Sequence, residues 1–385
     1  MLLREGLLFV SKIFGDCWII PYFCNQMKRS LQHICAALLV LLTFTACNGN
    51  SAKDVEAARA MYFWRTDFSL SEEETAFLRV NNISKIYLRY FDVIVNESQE
   101  VMPNATVSFT TDTLKGIEII PTIFIVEDCL HHNMDSIAQK LVARILQMNK
   151  THHRGEVKEI QIDCDYTNRS RQRFYAFLKE MHNELLPQGI RLSATIRLHQ
   201  LSMPPPPVDY GALMIYNTGN VSSLNGRNPI LSMEDVAPYL KQLLDYPLPL
   251  CAAYPIFDWV ALYGKAPTQP PNPPKQGDKG GLLRYLLYGH SLEDPSLYKP
   301  LGGNKYLVLA SRTLPTHLGK DATGIHLHVG DTIHHWQCDI NDILDVKDAV
   351  EKHRPGINNR IILYHLDKQC LNHYKNEDYE KIFSH

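Results

Sequence analysis

Between residues 159 and 167 the chain reads Glu-Ile-Gln-Ile-Asp-Cys-Asp-Tyr-Thr, so Gln161, Asp163 and Asp165 alternate with Ile160, Ile162 and Cys164. Successive side chains of a strand point to opposite faces. The spacing therefore predicts that Ile160, Ile162 and Cys164 pack outward while Gln161, Asp163 and Asp165 share the other face. Burying a row of carboxylates is costly unless each finds a partner. Such a row predicts the floor of a binding or catalytic site.

Similar residue types gather near the ends of other predicted strands. Arg65 and Asp67 close the first, and Arg89 and Asp92 fall in the second. Glu127 and Asp128 follow the third, and Arg197 ends the fifth, with His199 and Gln200 behind it. Tyr216 and Asn217 end the sixth; Tyr254, Asp258 and Trp259 belong to the seventh; Tyr364, His365 and Asp367 close the last. Carboxylates, amides and aromatic rings converging on one rim suit oligo- or polysaccharides, because rings stack on pyranose faces while polar groups bond hydroxyls.

The elements that must position these residues recur in a regular order. Strands are predicted at 60–67, 85–95, 117–126, 157–165, 190–198, 210–216, 248–256 and 360–366. Helices are predicted between them, the first from Ser71 with Glu74 completing a capping box. Others span 135–148, 170–186 and 232–244, with a closing helix near 376–383. The prolines at 204–207 leave little room for a helix after strand five. Eight repeats of strand and helix or loop predict an α/β fold, an irregular (β/α)8 TIM-type barrel over residues 59–385. The gap between strands seven and eight, about 265–345, predicts an inserted β-element. Within it, residues 325–340 read as strand, Gly330-Asp331 turn, strand.

Asp163-Cys164-Asp165-Tyr166-Thr167 resembles the fourth-strand motif of chitinase-like glycoside hydrolases, Asp-x-Asp-x-Glu. In that family the final glutamate is the general acid and the nearer aspartate orients the substrate's N-acetyl group. Asp163 and Asp165 match the two aspartates, but Thr167 stands in the acid's place and cannot donate a proton as that residue does. The chain from Cys47 onward also resembles an uncharacterised family of Bacteroidota-type lipoproteins, through Trp-Arg-Thr-Asp at 64–67 and Arg-Tyr-Phe-Asp at 89–92.

The leading reading of the acidic strand is a glycoside hydrolase using strand-end carboxylates, with a non-catalytic glycan binder as the alternative and a structural ion network beside them. In a hydrolase, Asp165 would be acid or nucleophile opposite Asp258 or Asp67, with Asp163 tuning its neighbour. In a glycan binder, the missing glutamate would mark lost catalysis. In a structural ion network, the aspartates would pair with Arg65, Arg89 or Arg197. Arg65, Arg89, Asp92, Arg197, Tyr216, Asn217, Tyr254, Trp259 and Tyr364 are the expected sugar contacts in either functional reading.

The N-terminal segment predicts a location. Met27-Lys28-Arg29 is basic, residues 34–44 are apolar, and Thr45-Ala46-Cys47 closes the run in the manner of a lipobox. The expectation is a signal peptide over 27–46, a lipidated Cys47, a tether over 47–58 and anchoring at the bacterial cell envelope. Residues 1–26 precede the basic segment and are expected to reflect a start assigned too far upstream.

A formal net charge of −2 carries no broad electrostatic footprint for nucleic acid, and the arginines at 169–173 fit a solvated helix face. Cys129, Cys164, Cys251, Cys338 and Cys370 are too widely spaced for a disulfide framework. No phosphate-cradling loop or nucleophile elbow occurs, and no cofactor is expected. His326 and His328, facing His334 and His335 across the predicted hairpin, offer a weak metal-binding alternative to exposed hairpin histidines.

Overall fold

The computed structural model describes residues 55–112, 114–264, 282–287, 290–314 and 324–384. Cys47, the signal segment and most of the tether lie outside the described residues, as does the proline-rich stretch 267–274. Among the described residues no helix is long and apolar enough to cross a membrane.

The chain forms β1 (Ala58–Phe63), β2 (Asp67–Phe68), β3 (Lys85–Val95), β4 (Val101–Asn104), β5 (Ser108–Phe109), β6 (Glu118–Ile125), β7 (Glu159–Asp163), β8 (Arg191–Arg197), β9 (Tyr210–Met214) and β10 (Leu250–Pro255). An inserted region follows with β11 (Asp258–Gly264), β12 (Leu282–Leu286), β13 (Tyr298–Gly302), β14 (Lys305–Val308), β15 (Arg312–Leu314), β16 (Ile325–Leu327) and β17 (Thr332–Gln337), before β18 (Arg360–Tyr364).

β1, β3, β6, β7, β8, β9, β10 and β18 pair in parallel, and β1 bonds both β3 and β18, which closes an eight-stranded barrel. This is the predicted (β/α)8 architecture, with a β-element between its seventh and eighth strands. Closure leaves β4 as an antiparallel appendage on β3.

The helices form where the pattern places them. Ser71 caps Glu72–Val80, its hydroxyl accepting from the Glu74 amide at 3.1 Å while Glu74 accepts from the Ser71 amide at 2.8 Å. Apolar residues at helical spacing bury Ile137, Leu141 and Ile145 of the helix Ile137–Thr151 and Phe174, Phe177 and Met181 of Arg171–Leu185. After β8 the prolines permit only a single-turn 3-10 helix, Leu198–Ser202.

The insertion is a second, smaller layer. Its sheet runs β12-β11-β17-β14-β13. Strand alternation gives it two apolar faces: Ala261, Tyr263 and Trp336 join the barrel's core, while Val260, Leu262 and Ile333 join a separate small core. Tyr263 hydroxyl donates to Val221 carbonyl at 2.6 Å and accepts from Trp336 at 3.0 Å, tying the insertion to the loop after β9.

The predicted hairpin over 325–340 is not formed. β16 pairs with β15, and β17 pairs with β11 and β14. The chain changes sheet at the turn because buried Asp331 accepts there from the His328 amide at 2.9 Å and from Arg284 at 2.6 Å. His326 and His328 consequently do not face His334 and His335. They bond Thr313 and Arg284 instead, each at 2.8 Å. A cationic partner beside His328 opposes a metal ion, and no metal-holding cluster of three such side chains occurs among the described residues.

Candidate functional site

Each barrel strand directs alternate residues inward, and the inward residues nearest its C-terminal end reach the mouth. On β7 these are Gln161 and Asp163, while Ile160 and Ile162 turn to the helices. Tyr62 donates to Gln161 Oε1 at 2.9 Å and closes the barrel beneath Asp163. Above this plug lies a cavity of about 450 Å³.

Aromatic rings form much of its wall: Trp64, Phe124, Tyr216, Phe257, Trp259 and Tyr364. Tyr364 ties the rings together, with centroids 5.2 Å from Tyr216, 5.5 Å from Phe257 and 6.0 Å from Trp64. The polar wall comprises Asp163, Arg197, Asn217, Asp258, His365, Asp367 and Gln369. A neighbouring cavity of about 320 Å³ shares Arg197, Tyr216 and Asn217 and adds Asp165, His199 and Tyr239.

Every carboxylate at this mouth has a cationic or imidazole partner. Arg197 donates from Nη2 to Asp163 Oδ1 at 3.1 Å and from Nε to Asp165 Oδ1 at 2.6 Å. Thr195 donates to Asp163 Oδ1 at 2.6 Å as well. Asp258 bonds His335 Nε2 and lies 3.7 Å from His373 Nε2. Asp367 receives Arg65 at 3.2 Å and caps the following short helix.

These surroundings separate the acids. Burial raises the pKa of Asp163 above the ordinary carboxylate value, against the opposing pull of Arg197 and Thr195. Burial also pushes Asp258 upward, but the hydrogen bond from His335 and the charges of His373 and His335 outweigh it and leave the pKa lowered. Arg197 would lose basicity through burial, yet Asp163 and Asp165 hold its pKa above the usual value. Burial lowers the pKa of His365 and favours its neutral form.

Three residues that line the main cavity each carry a buried polar atom with no hydrogen-bond partner among the described residues: Arg197 Nη1, Tyr216 Oη and His365 Nδ1. A buried polar group left unbonded costs about 1–3 kcal/mol, so these residues carry unmet polar demand around the cavity.

Thr167 follows the end of β7, and its hydroxyl donates to Glu127 Oε1 at 3.2 Å. Glu127 is thus a carboxylate held beside Thr167. Bonds from Ser170 and Thr167 lower its pKa, which favours a carboxylate over a proton donor.

Of the residues singled out in the sequence, Asp163, Arg197, Tyr216, Asn217, Asp258, Trp259 and Tyr364 border the main cavity. Asp165 lies in the neighbouring one with 59% of its side chain exposed, because β7 ends at Asp163.

Five expected residues lie elsewhere. Asp67 is exposed on β2, where Ser108 and Thr110 donate to it at 2.8 and 2.7 Å, because β1 ends at Phe63. Arg65 sits behind Asp367, bonded also to Glu74 at 3.0 Å. Arg89 and Asp92 pair with each other after a register shift in β3 displaces the alternation at Tyr90. Tyr254 faces the helical layer and donates to Asn358 at 2.8 Å.

Phe124, Met214, Phe257 and Gln369 were not anticipated. Phe124 was legible from register, since it pairs with Asp163 across β6 and β7. Met214 shares the alternation of Tyr216.

No family model matches the sequence, and no curated protein matches it. Among solved structures, the chitinase from Chromobacterium violaceum ATCC 12472 superposes with a TM-score of 0.51 and 12% identity, over 85% of this chain and 98% of that one. This likeness shows the fold. It is a (β/α)8 barrel. Lesser likenesses include the Bacillus cereus spore cortex-lytic enzyme SleL, with a TM-score of 0.46 and 13% identity over 86% of this chain and 75% of that one. Ostrinia furnacalis Group II chitinase catalytic domain 2 gives 0.47 and 10% over 85% and 95%.

Proposed function

We propose that this barrel binds glycans at its C-terminal mouth without cleaving them. The observation that carries the reading is an aromatic-walled cavity whose carboxylates are each engaged by a cation or imidazole. Rings of this kind stack on sugar faces, and polar atoms among them fix orientation. The fold is shared with a protein named as a chitinase, and Thr167 stands where the chitinase-like motif that this strand resembles has its proton donor. Calorimetric titration with an oligosaccharide panel, run beside an assay for new reducing ends, tests the proposal. Binding without release is expected. Sugar release from any panel member would replace the binder with an enzyme.

A hydrolytic reading has one specific observation in its favour. Asp163 and Asp258 border the same cavity with pKa values moved in opposite directions, the pattern that separates an acid from a base or nucleophile. In that reading Asp163→Asn would abolish release while binding persists, and Asp165 would act only through Arg197.

We further propose that the chain is held at the bacterial cell envelope by lipid on Cys47. The support is the basic, apolar and small-residue order of 27–47. Detergent-phase partitioning of the full chain, lost in Cys47→Ser, is the expected result.

A further inference from the structure

Resting on the Cys47 anchor reading, we infer that the N-terminal end of the barrel is a docking surface for a lipid bilayer, which turns the mouth away from the membrane. Each helix of a (β/α)8 barrel carries the chain back from the C-terminal rim to the start of the next strand. The last turn of such a helix therefore lies at the N-terminal end. Val80, Leu186 and Leu244 sit there, at the ends of the helices Glu72–Val80, Arg171–Leu185 and Met233–Asp245. Their exposures are 55%, 65% and 57%. Among the other exposed large apolar side chains of the described residues, Met102 lies on β4 and the rest lie in the inserted region.

Their placement fits a plane better than a groove. Val80 precedes β3, Leu186 precedes β8 and Leu244 precedes β10, strands spread around the closed barrel. Apolar points distributed around one rim can enter a single flat apolar boundary together, as interfacial proteins do. Exposed Pro187 and Pro247 extend two of them. Exposed Lys158 at this end is offset by Glu156 and Asp245, so apolar contact supplies the attraction. The tether fixes which plane is meant. Val55 is buried and β1 begins at Ala58, at this same end. Eight residue steps link Cys47 to Val55 and reach at most about 29 Å. Lipid on Cys47 therefore holds this end, already sealed by Arg360 and Glu159, closest to the bilayer.

The test uses the full lipidated chain on phosphatidylcholine vesicles, a fraction of whose headgroups carry a nitroxide quencher. The free cysteines among the described residues are all buried, so a thiol-reactive fluorophore can be directed to one introduced surface cysteine. Gln188→Cys places it at the N-terminal end, and Asn168→Cys places it beyond the end of β7, at the mouth. Both proteins are expected to float with the vesicles, with quenching several times stronger at 188 than at 168. Val80→Glu, Leu186→Glu and Leu244→Glu introduced together should still float but lose most of that difference, which separates docking from tethering alone. Thermal unfolding checks the fold, and the two labels in the otherwise unaltered chain decide the matter if the triple variant does not fold.

Equal quenching of the two labels, or an undiminished difference in the folded triple variant, would overturn the docking surface and leave the anchor intact. Failure of the unaltered protein to float would overturn the anchor reading itself.

Discussion

Two of the barrel's arginine–carboxylate clusters lie at opposite ends, and they differ in what surrounds the guanidinium. At the N-terminal end Arg360 and Glu159 are both fully buried. Arg360 Nη1 reaches Tyr87 hydroxyl at 2.9 Å and Glu159 at 3.4 Å and also bonds Tyr210, while Ser193 donates to Glu159 at 2.8 Å. Tyrosines from β3 and β9 seal this cluster. At the C-terminal end Arg197 holds Asp163 and Asp165 beside an open cavity, with 59% of the Asp165 side chain exposed. The same chemistry serves packing where aromatic residues close over it and recognition where the strands end.

The contrast predicts unequal stability losses, and the largest lies at the closed end. Arg360→Met leaves buried Glu159 with Arg191, 3.7 Å away, as its cationic partner, and should cost about 3 kcal/mol, read as a lower urea midpoint. Adding Glu159→Met should recover much of that loss, because the pair's desolvation is then avoided. Arg197→Met should cost less, about 2 kcal/mol, since water reaches Asp165 and buried Asp163 keeps its 2.6 Å bond from Thr195. Equal losses at the two ends would remove the distinction between a sealed cluster and a binding one.

Binding should show the reverse order. Trp259 stands at the mouth on the first residues of the insertion, and Trp259→Ala should weaken glycan affinity by about 10- to 100-fold, the value of one aromatic face withdrawn from a ligand. Its urea midpoint should hardly change. Arg360→Met, where it still folds, should bind normally. Titration calorimetry separates the two outcomes.

Much of this arrangement was legible because it follows from periodicity. The alternation in 159–165 and the apolar spacing of the intervening helices are local properties, and they fixed both the barrel and its acidic strand. The misplaced residues have non-local causes. Tyr254 alternates correctly, but only closure of the barrel decides that its face meets Asn358 and the helices. Arg89 and Asp92 depend on a register shift against β6. The hairpin expected at 325–340 depends on Arg284, distant in sequence, taking Asp331 at the turn. Arg360 reads as an ordinary start of a strand until Glu159 is found opposite it.

Asp258 offers a smaller effect that sharpens the contrast through pH. Its pKa is lowered in the folded protein, so ionised Asp258 stabilises the fold above the ordinary carboxylate value of 3.8, and that contribution is lost as pH falls through the folded value. Asp258→Asn should therefore cost about 1 kcal/mol at neutral pH, with the difference shrinking below about pH 4. Asp163, whose pKa is raised, has the opposite sign: its ionisation opposes folding as pH rises above 3.8. Urea midpoints of Asp258→Asn and the unaltered protein at several pH values test this, and a difference that grows on acidification would contradict the geometry around His335.

The smallest effect is expected at Asp67, which the sequence placed beside Arg65 as a possible catalytic partner. Its carboxylate is exposed and satisfied by Ser108 and Thr110, and bonds from Ser69, Thr110 and Ser108 lower its pKa away from the cavity. Asp67→Asn should leave both glycan affinity and any sugar release unchanged, because neither the aromatic wall nor Arg197 depends on it. A clear loss of either would mean that the segment between β1 and the helix at Glu72 folds over the mouth when a glycan binds. The exposed acid would then belong to the recognition end of the barrel after all.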